Sequence, residues 1–410
     1  MTKICIVTTR HISYNPRVLK EADALSSAGY EVVVVTVCNT DRQAAFDEEL
    51  MSRRSWRLKT VNFRKERSKE RPYWVYLSLK QRLFLVLSRI SHSGGIAERA
   101  AEKAFDPLAA LATAERAELY IAHHAEALGA AWKAARRHKA GFGFDAEDFH
   151  TGMNCTGTVS AEDKMVEYLE TKYLPHVSYM TAASKGIGEA YRDKFGVKSP
   201  VTILNVFPYE ELPAGNVGDP VKFYWYSQVI GPNRGLELLF EAATRIRLPF
   251  EIHLRGKWYS EAYREKLKEL CGVSGLWERL IWHEPILAEQ LIGEGNRYDV
   301  GLALESNTSI SHDICVSNKI FGYLMSRLVL LGTDTTGQKD IFSQFPDASR
   351  ICSMNDAGEL AAGMEFYILH KDRLMAGKQA AGKAARDCFN WELESQKLLR
   401  YIKEALCRPS

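Results

Sequence analysis

Eight cysteines are scattered through the chain, with no C-x-x-C pair and no zinc-ligand spacing. That excludes a structural zinc module and a disulfide framework, and it fits a reduced, cytosolic protein. No uninterrupted apolar run of about 18 residues occurs, so no membrane span is expected. Residues 1–9, MTKICIVTT, are too short and too strand-like for a signal peptide. The net charge is only +3, which argues against global nucleic-acid binding and leaves room for a local basic patch. No G-x-G-x-x-G follows the first strand, so a dinucleotide fingerprint is missing. No Asp-x-Asp stands at a suitable strand end. An obligatory metal or cofactor is therefore not expected.

What is present is a repeated strand–helix alternation over 410 residues, enough for two or three domains with sizeable cores. The most informative unit is Tyr298 to Asp334. Asp299 to Leu304 is an apolar strand, and a polar loop runs from Glu305 to Asp313. Ser317 to Arg327 reads as a helix with Ile320, Tyr323 and Leu324 at i, i+3 and i+4. Leu328 to Leu331 is the next strand. The helix opens on Ser317, Asn318 and Lys319, where free N–H groups and the positive dipole end sit beside a cation. That corner suits a phosphate. In the plainer alternative, Ser317 caps the helix and Lys319 is solvated.

Ile4 to Thr8, a helix from Pro16 and Glu31 to Thr36 form a first β-α-β unit. Glu118 to His124 is a strand ending in a His pair, and Phe142 to Ala146 leads to Glu147, Asp148 and His150. Open α/β sheets bind ligands at strand carboxyl ends, so these polar clusters are site candidates. Lys222 to Ser227 restarts the alternation. Gln228 to Asn233 is a loop, and Arg234-Gly235-Leu236-Glu237 opens a helix. Arg can grip phosphate oxygens in bidentate fashion, which favours Arg234 as an anion contact.

Residues 41–100 break the alternation. From Arg53 to Arg89 only Glu66 and Glu70 oppose the basic residues, and Trp56, Phe63, Tyr73, Trp74, Tyr76, Leu77 and Phe84 are interleaved. Tyr73 to Ile90 can form a helix with Ser78, Gln81, Arg82 and Arg89 near one face. Residues 53–90 thus suit peripheral contact with an anionic membrane. The alternative is the solvated face of an ordinary helix. No DNA or RNA motif accompanies the patch, so no nucleic-acid partner is expected.

The phrase Ser317-Asn318-Lys319-Ile320-Phe321-Gly322-Tyr323-Leu324 resembles the donor-binding segment of GT-B glycosyltransferases, in particular the retaining family 4 group. Asn15-Pro16-Arg17-Val18-Leu19 is similar to the family's opening. Ile121-Ala122-His123-His124 and Asp145-Ala146-Glu147-Asp148 are similar to its two strand ends. Gln228 to Glu237 is similar to its diphosphate element, with Arg234 as the second cation and Gln228 near the unmatched first. The resemblance implies an α/β GT-B fold, with two Rossmann-like domains facing each other across a cleft. Residues 1–208 form the acceptor-side domain with an insertion at 41–100, and 209–220 are the linker. Residues 221–390 hold the nucleotide sugar, and 391–410 form a helix crossing back.

It further implies sugar transfer, with retention, from a UDP- or GDP-sugar to a glycan or lipid-linked acceptor, as in surface polysaccharide or glycoconjugate synthesis. The donor set is Arg234, Ser317, Asn318, Lys319, Gln228 and Glu305. The acceptor side is His11, Asn15, Arg17 and Asp148, with His123 as the catalytic candidate. The alternative for His123 is a structural histidine, and for Arg17 a surface residue of its helix. Trp258 and Trp282 either frame the nucleotide base or pack the core. Two positions depart from the family. The usual ribose-binding Glu is Gly322, and the usual Gly after the helix is Arg327. The first keeps open a catalytically silent GT-B protein that scaffolds other transferases. A sugar-nucleotide epimerase of the same fold needs several acidic groups in an expected pattern, which is not found.

Overall fold

The computed structural model describes residues 1–154, 157–198, 200–272 and 274–407. Two compact units are formed, Met1–Ile203 with Ser395–Ser410, and Leu204–Glu394. The segment read as a linker, 209–220, lies within the second unit and is tied down there. Arg327 Nη1 donates to Leu212 O at 2.9 Å, and Gly218 N donates to Asp299 Oδ1 at 3.1 Å.

The first unit carries β1 (Lys3–Thr8), β2 (Glu31–Cys38), β3 (Arg57–Asn62), β4 (Leu119–His123), β5 (Gly141–Ala146), β6 (Tyr179–Ala182) and β7 (Val201–Thr202). They make one sheet in the order β3-β2-β1-β4-β5-β6-β7, and its recorded pairings are parallel. A parallel sheet covered on both faces needs near-continuous apolar strands, and β1 and β2 meet that demand with Ile4–Val7 and Val32–Val35 fully or almost fully buried.

The stretch 41–100 is not simply an interruption. Its β3 is the edge strand of the sheet, in register with β2 from Val33↔Arg57 to Cys38↔Asn62. The same stretch holds the helices Asp41–Met51, Arg71–Leu87 and Ile96–Ala101. Part of its positive charge is met by acids from elsewhere, Arg54 pairing with Asp23 at 3.0 Å and Arg57 with Glu31 at 2.5 Å, and part within it, Arg67 pairing with Asp41 at 2.6 Å. Trp56 and Phe63, expected at a lipid interface, are buried core residues instead.

The second unit carries β8 (Val221–Ile230), β9 (Phe250–Trp258), β10 (Leu280–His283), β11 (Val300–Ala303), β12 (Val329–Thr333) and β13 (Ser349–Cys352). Their order is β10-β9-β8-β11-β12-β13, again parallel. Phe223, Trp225, Leu236, Phe240, Leu302 and Leu331 pack one face, and Tyr224, Ile320, Tyr323 and Leu330 the other.

Both sheets reverse their winding direction once. In the first unit the chain runs outward from β1 to β3 and then starts again at β4, on the other side of β1. In the second it does the same between β8 and β11. At such switch points the connections leave in opposite directions and a crevice opens beyond the strand carboxyl ends.

Candidate functional site

At the switch point of the second unit, β11 pairs with β8 only at Val300↔Phe223 and Gly301↔Tyr224 among the described residues. Beyond them the strands part, because β8 shifts its register to β9 between Tyr226 and Val229. The loop after β8 brings Arg234 back, so that its Nη1 donates to Ser227 Oγ at 3.0 Å. Gly235 then starts the helix Leu236–Thr244 with φ +72°, and a Cβ there would lie 2.5 Å from Leu304 Cβ. Only glycine allows this backbone to close onto the end of β11.

Glu305 follows β11 and is locked to the end of β12. Its N–H donates to Thr333 Oγ1 at 2.8 Å, and its carbonyl accepts from the same hydroxyl at 2.6 Å. Lys319 Nζ donates to Glu305 Oε1 at 2.8 Å and lies 5.4 Å from the centre of the Trp225 ring. Burial would raise the Glu305 pKa, but Lys319, the Ser317 hydroxyl and the field of Arg234 outweigh it, and the carboxyl is held below its ordinary value. Ser317 makes no side-chain cap bond to the helix it precedes. Arg234, Ser317, Lys319 and Glu305 thus form one corner, while Asn318 and Gln228 are exposed at its rim. Among the described residues no carboxylate lies within ion-pair distance of Arg234.

In the first unit, β4 ends on His123, in register with Thr8 of β1 and Asp145 of β5. The strand's parity turns the ring inward against the helix Pro16–Ser27, and it is 0% exposed. His123 Nε2 is 2.6 Å from Glu21 Oε2. Its Nδ1 is 3.3 Å from Asp145 Oδ2, near enough for an ion pair and out of line for a hydrogen bond. Arg17 grips Asp145 through Nε at 2.5 Å and Nη2 at 2.7 Å, and donates from Nη1 to Ile203 O at 2.6 Å. The Thr181 hydroxyl also bonds Asp145.

Burial alone would suppress the His123 charge, but Asp145 and Glu21 outweigh it and raise the imidazole pKa. Burial likewise opposes the Asp145 charge, yet Arg17 and His123 bring the carboxyl down to about 2. His124 differs. Burial and the nearby Arg10 push its pKa well below the ordinary value, so the ring is neutral. With φ +70° it sits in strained backbone, and its Nε2 meets Asn15 Nδ2 at 3.1 Å.

Residues 14–206 match the family model of the glycosyl transferase 4-like domain. The first unit is a glycosyl transferase 4-like domain. In class the chain is a glycosyltransferase. Comparison with curated proteins found no match. Among solved structures the chain is similar to Anabaena Alr3699/HepE in complex with UDP-glucose, with a TM-score of 0.69, 11% identity and coverage of 98% of this chain and 100% of that one. It is similar to a glycosyltransferase from Rickettsia africae, with a TM-score of 0.69, 14% identity and 99% of both chains covered. The lipopolysaccharide outer core galactosyltransferase WaaB matches with a TM-score of 0.61 and 12% identity, over 98% of this chain and 99% of that one. At these identities the likeness speaks for the fold, which is GT-B.

Within the glycosyl transferase 4-like domain, the residues singled out from sequence fall into two sets. Asp148 is half-buried at the carboxyl end of β5, where Tyr191 donates to its carbonyl at 3.2 Å. The other four are held in buried contacts. Arg17 is buried, which corrects its reading as a surface residue. His11 Nδ1 meets Asp47 Oδ2 at 3.0 Å, and Asn15 accepts from Val18 N at 3.1 Å as the helix cap. His123 reaches no solvent, so its placement is that of a buried ion-pair member.

In the second unit, Trp282 is half exposed and its Nε1 donates to Gly256 O at 2.8 Å, so it is not a core residue. Sequence reasoning passed over Tyr226. A Cβ built on Gly322 would fall well under 3.0 Å from Tyr226 Oη, so the tyrosine occupies the space a side chain at 322 would need. The departure at Gly322 was the signal for it. Among the described residues, no group of three or more His, Cys, Asp or Glu is arranged to hold a metal ion.

Proposed function

We propose that the chain transfers a sugar from a UDP- or GDP-sugar to a glycan or lipid-linked acceptor. The observation that carries this is Arg234, a cation without a carboxylate partner at the switch point of the second sheet, beside Lys319. In this reading Arg234, Lys319 and the first amides of the helix Asn318–Met325 take the diphosphate. They neutralise the charge that develops on it as the glycosidic bond to the donor breaks. Glu305 holds Lys319 in place before the donor arrives. Asn318 and Gln228 are polar rim contacts, and Asp148 at the end of β5 serves the acceptor. Retention is what the family resemblance supports.

The test is incubation with a panel of nucleotide sugars, with and without candidate acceptors, following release of the nucleoside diphosphate. Release that depends on acceptor, and that falls in Arg234→Ala, supports transfer. The side-chain space at Gly322, taken by Tyr226, favours a second reading, a GT-B protein that binds nucleotide sugar without turnover. Nucleotide binding by calorimetry with no release from any donor would select it.

A further inference from the structure

The helix Arg71–Leu87 shows two apolar faces where an ordinary surface helix shows one. Trp74, Leu77, Gln81 and Phe84 recur at i, i+3, i+7 and i+10 and turn inward. Leu77 is fully buried, and Gln81 Nε2 donates to Ala100 O at 3.0 Å. Gln81 therefore does not share an outer face with Arg82 and Arg89, as the sequence reading had it. On the opposite side Tyr76, Leu79, Leu83 and Val86 recur with the same spacing and are 56%, 59%, 57% and 57% exposed. Ile90, just past the helix, continues the stripe. Scattered exposed apolar residues are ordinary, but an unbroken stripe along one helix is not.

The charge around the stripe says what covers it. Arg71, Arg82 and Arg89 are spaced by 11 and 7 residues, so at 100° per residue they line one flank of the stripe. All three are exposed, as are Lys65 and Lys69 in the preceding turn. Among the described residues none of the five has a carboxylate within ion-pair distance, unlike Arg54, Arg57 and Arg67. Tyr73 and Tyr76 stack at 6.2 Å, with Tyr76 exposed, and amphipathic rings favour the headgroup level. A second copy docking by two-fold symmetry with the helices antiparallel would set this arginine row against itself.

We propose that this helix lies on the surface of an anionic bilayer, with Tyr76, Leu79, Leu83, Val86 and Ile90 against the acyl boundary and Arg71, Arg82 and Arg89 at the headgroups. The surface stands apart from the transferase reading, because its test needs no substrate.

The experiment is co-sedimentation of the full chain with phosphatidylcholine vesicles containing or lacking phosphatidylglycerol, over a salt series. The wild type should pellet with the anionic vesicles only, and less as salt rises. Leu79→Glu/Leu83→Glu should weaken partition more than tenfold, since it moves two carboxylates to the acyl boundary. Arg82→Gln/Arg89→Gln should weaken it roughly fivefold per arginine at low salt. Both pairs are exposed, and an unchanged circular dichroism spectrum shows that folding is intact. Equal binding to both vesicle types, no binding to either, or full binding by the Leu79→Glu/Leu83→Glu variant overturns the proposal. Self-association in solution that is abolished by that variant also overturns it, in favour of a second copy as the occupant.

Discussion

Gly322→Ala is the substitution whose outcome the structure sets most sharply. Position 322 lies within the helix Asn318–Met325, where alanine is intrinsically better than glycine by about 1 kcal/mol. The new methyl would, however, fall well under 3.0 Å from Tyr226 Oη. The ring cannot retreat freely, since it is held edge-on to Tyr323 at 5.2 Å and against Tyr224 at 5.6 Å. Overpacking of this kind costs about 1–3 kcal/mol, so the single variant should be destabilised by roughly 0–2 kcal/mol net. Tyr226→Phe removes the offending oxygen. The next atoms, Phe207 Cε2 and Tyr226 Cζ, both stand at 3.5 Å, ordinary contact. In that background Gly322→Ala should become neutral or stabilising by up to about 1 kcal/mol. The double-mutant cycle should therefore show a coupling of about 1–3 kcal/mol. Urea unfolding of the four proteins measures it through shifts of midpoint at unchanged slope. A coupling below about 0.5 kcal/mol, the additive range for independent sites, would refute the claim that Tyr226 fills the place of a side chain at 322. The cycle also bears on function. Nucleotide affinity of Gly322→Glu/Tyr226→Phe shows whether a carboxylate can be restored at the position where the family resemblance puts a ribose contact.

Arg234→Ala and Lys319→Ala should each weaken nucleoside-diphosphate binding by about 1–3 kcal/mol in calorimetry, and unchanged affinity in both would remove this donor corner. His123→Ala leaves buried Glu21 without its paired cation while Arg17 still holds Asp145, so the loss of stability should be about 3–5 kcal/mol by urea unfolding. A variant as stable as wild type would show the ion pair to be dispensable. His123 has a raised folded pKa, so its contribution is fully present below its unfolded value and fades as pH rises through the folded one. Asp145, held down to about 2, contributes above its unfolded value and fades only as pH falls towards about 2. Unfolding midpoints of wild type and His123→Ala should therefore converge as pH is raised from 6 towards 9. A constant gap would contradict the assignment.

Much of the fold was legible because buried parallel strands leave an unmistakable signature. Val32–Val35, Val300–Ala303 and Val329–Leu331 are all apolar runs bounded by turns. The edge strand β3 was missed because RLKTVN is half exposed, and charged residues interrupt its pattern. The meeting of Arg234, Glu305 and Lys319 in one corner was legible because the first two lie just past strand ends and Lys319 lies in the first turn of a helix. The first unit was harder, because partnership there is not local. Arg17 and Asp145 are 128 residues apart, and Glu21 and His123 are 102 apart. Strand parity decides that His123 faces the helix Pro16–Ser27 and meets Glu21, and a sequence register uncertain by one residue loses that information. The pairing of Arg54 and Arg57 was hidden for the same reason, since Asp23 and Glu31 come from the first β-α-β unit.

The way the chain divides has a consequence for its birth. Unit one is written in two instalments, Met1–Ile203 and Ser395–Ser410, with all of unit two between them. The second instalment is not decoration. The Tyr401 ring lies 4.9 Å from Tyr179, and its hydroxyl accepts from Met180 N at 3.4 Å, against β6. On the ribosome, unit two is therefore whole before unit one can close, although unit one began first. Until then β6 waits with that flank uncovered. A fragment cut after residue 203 would keep it so permanently, whereas joining 1–203 to 395–410 through a short linker should restore the cover.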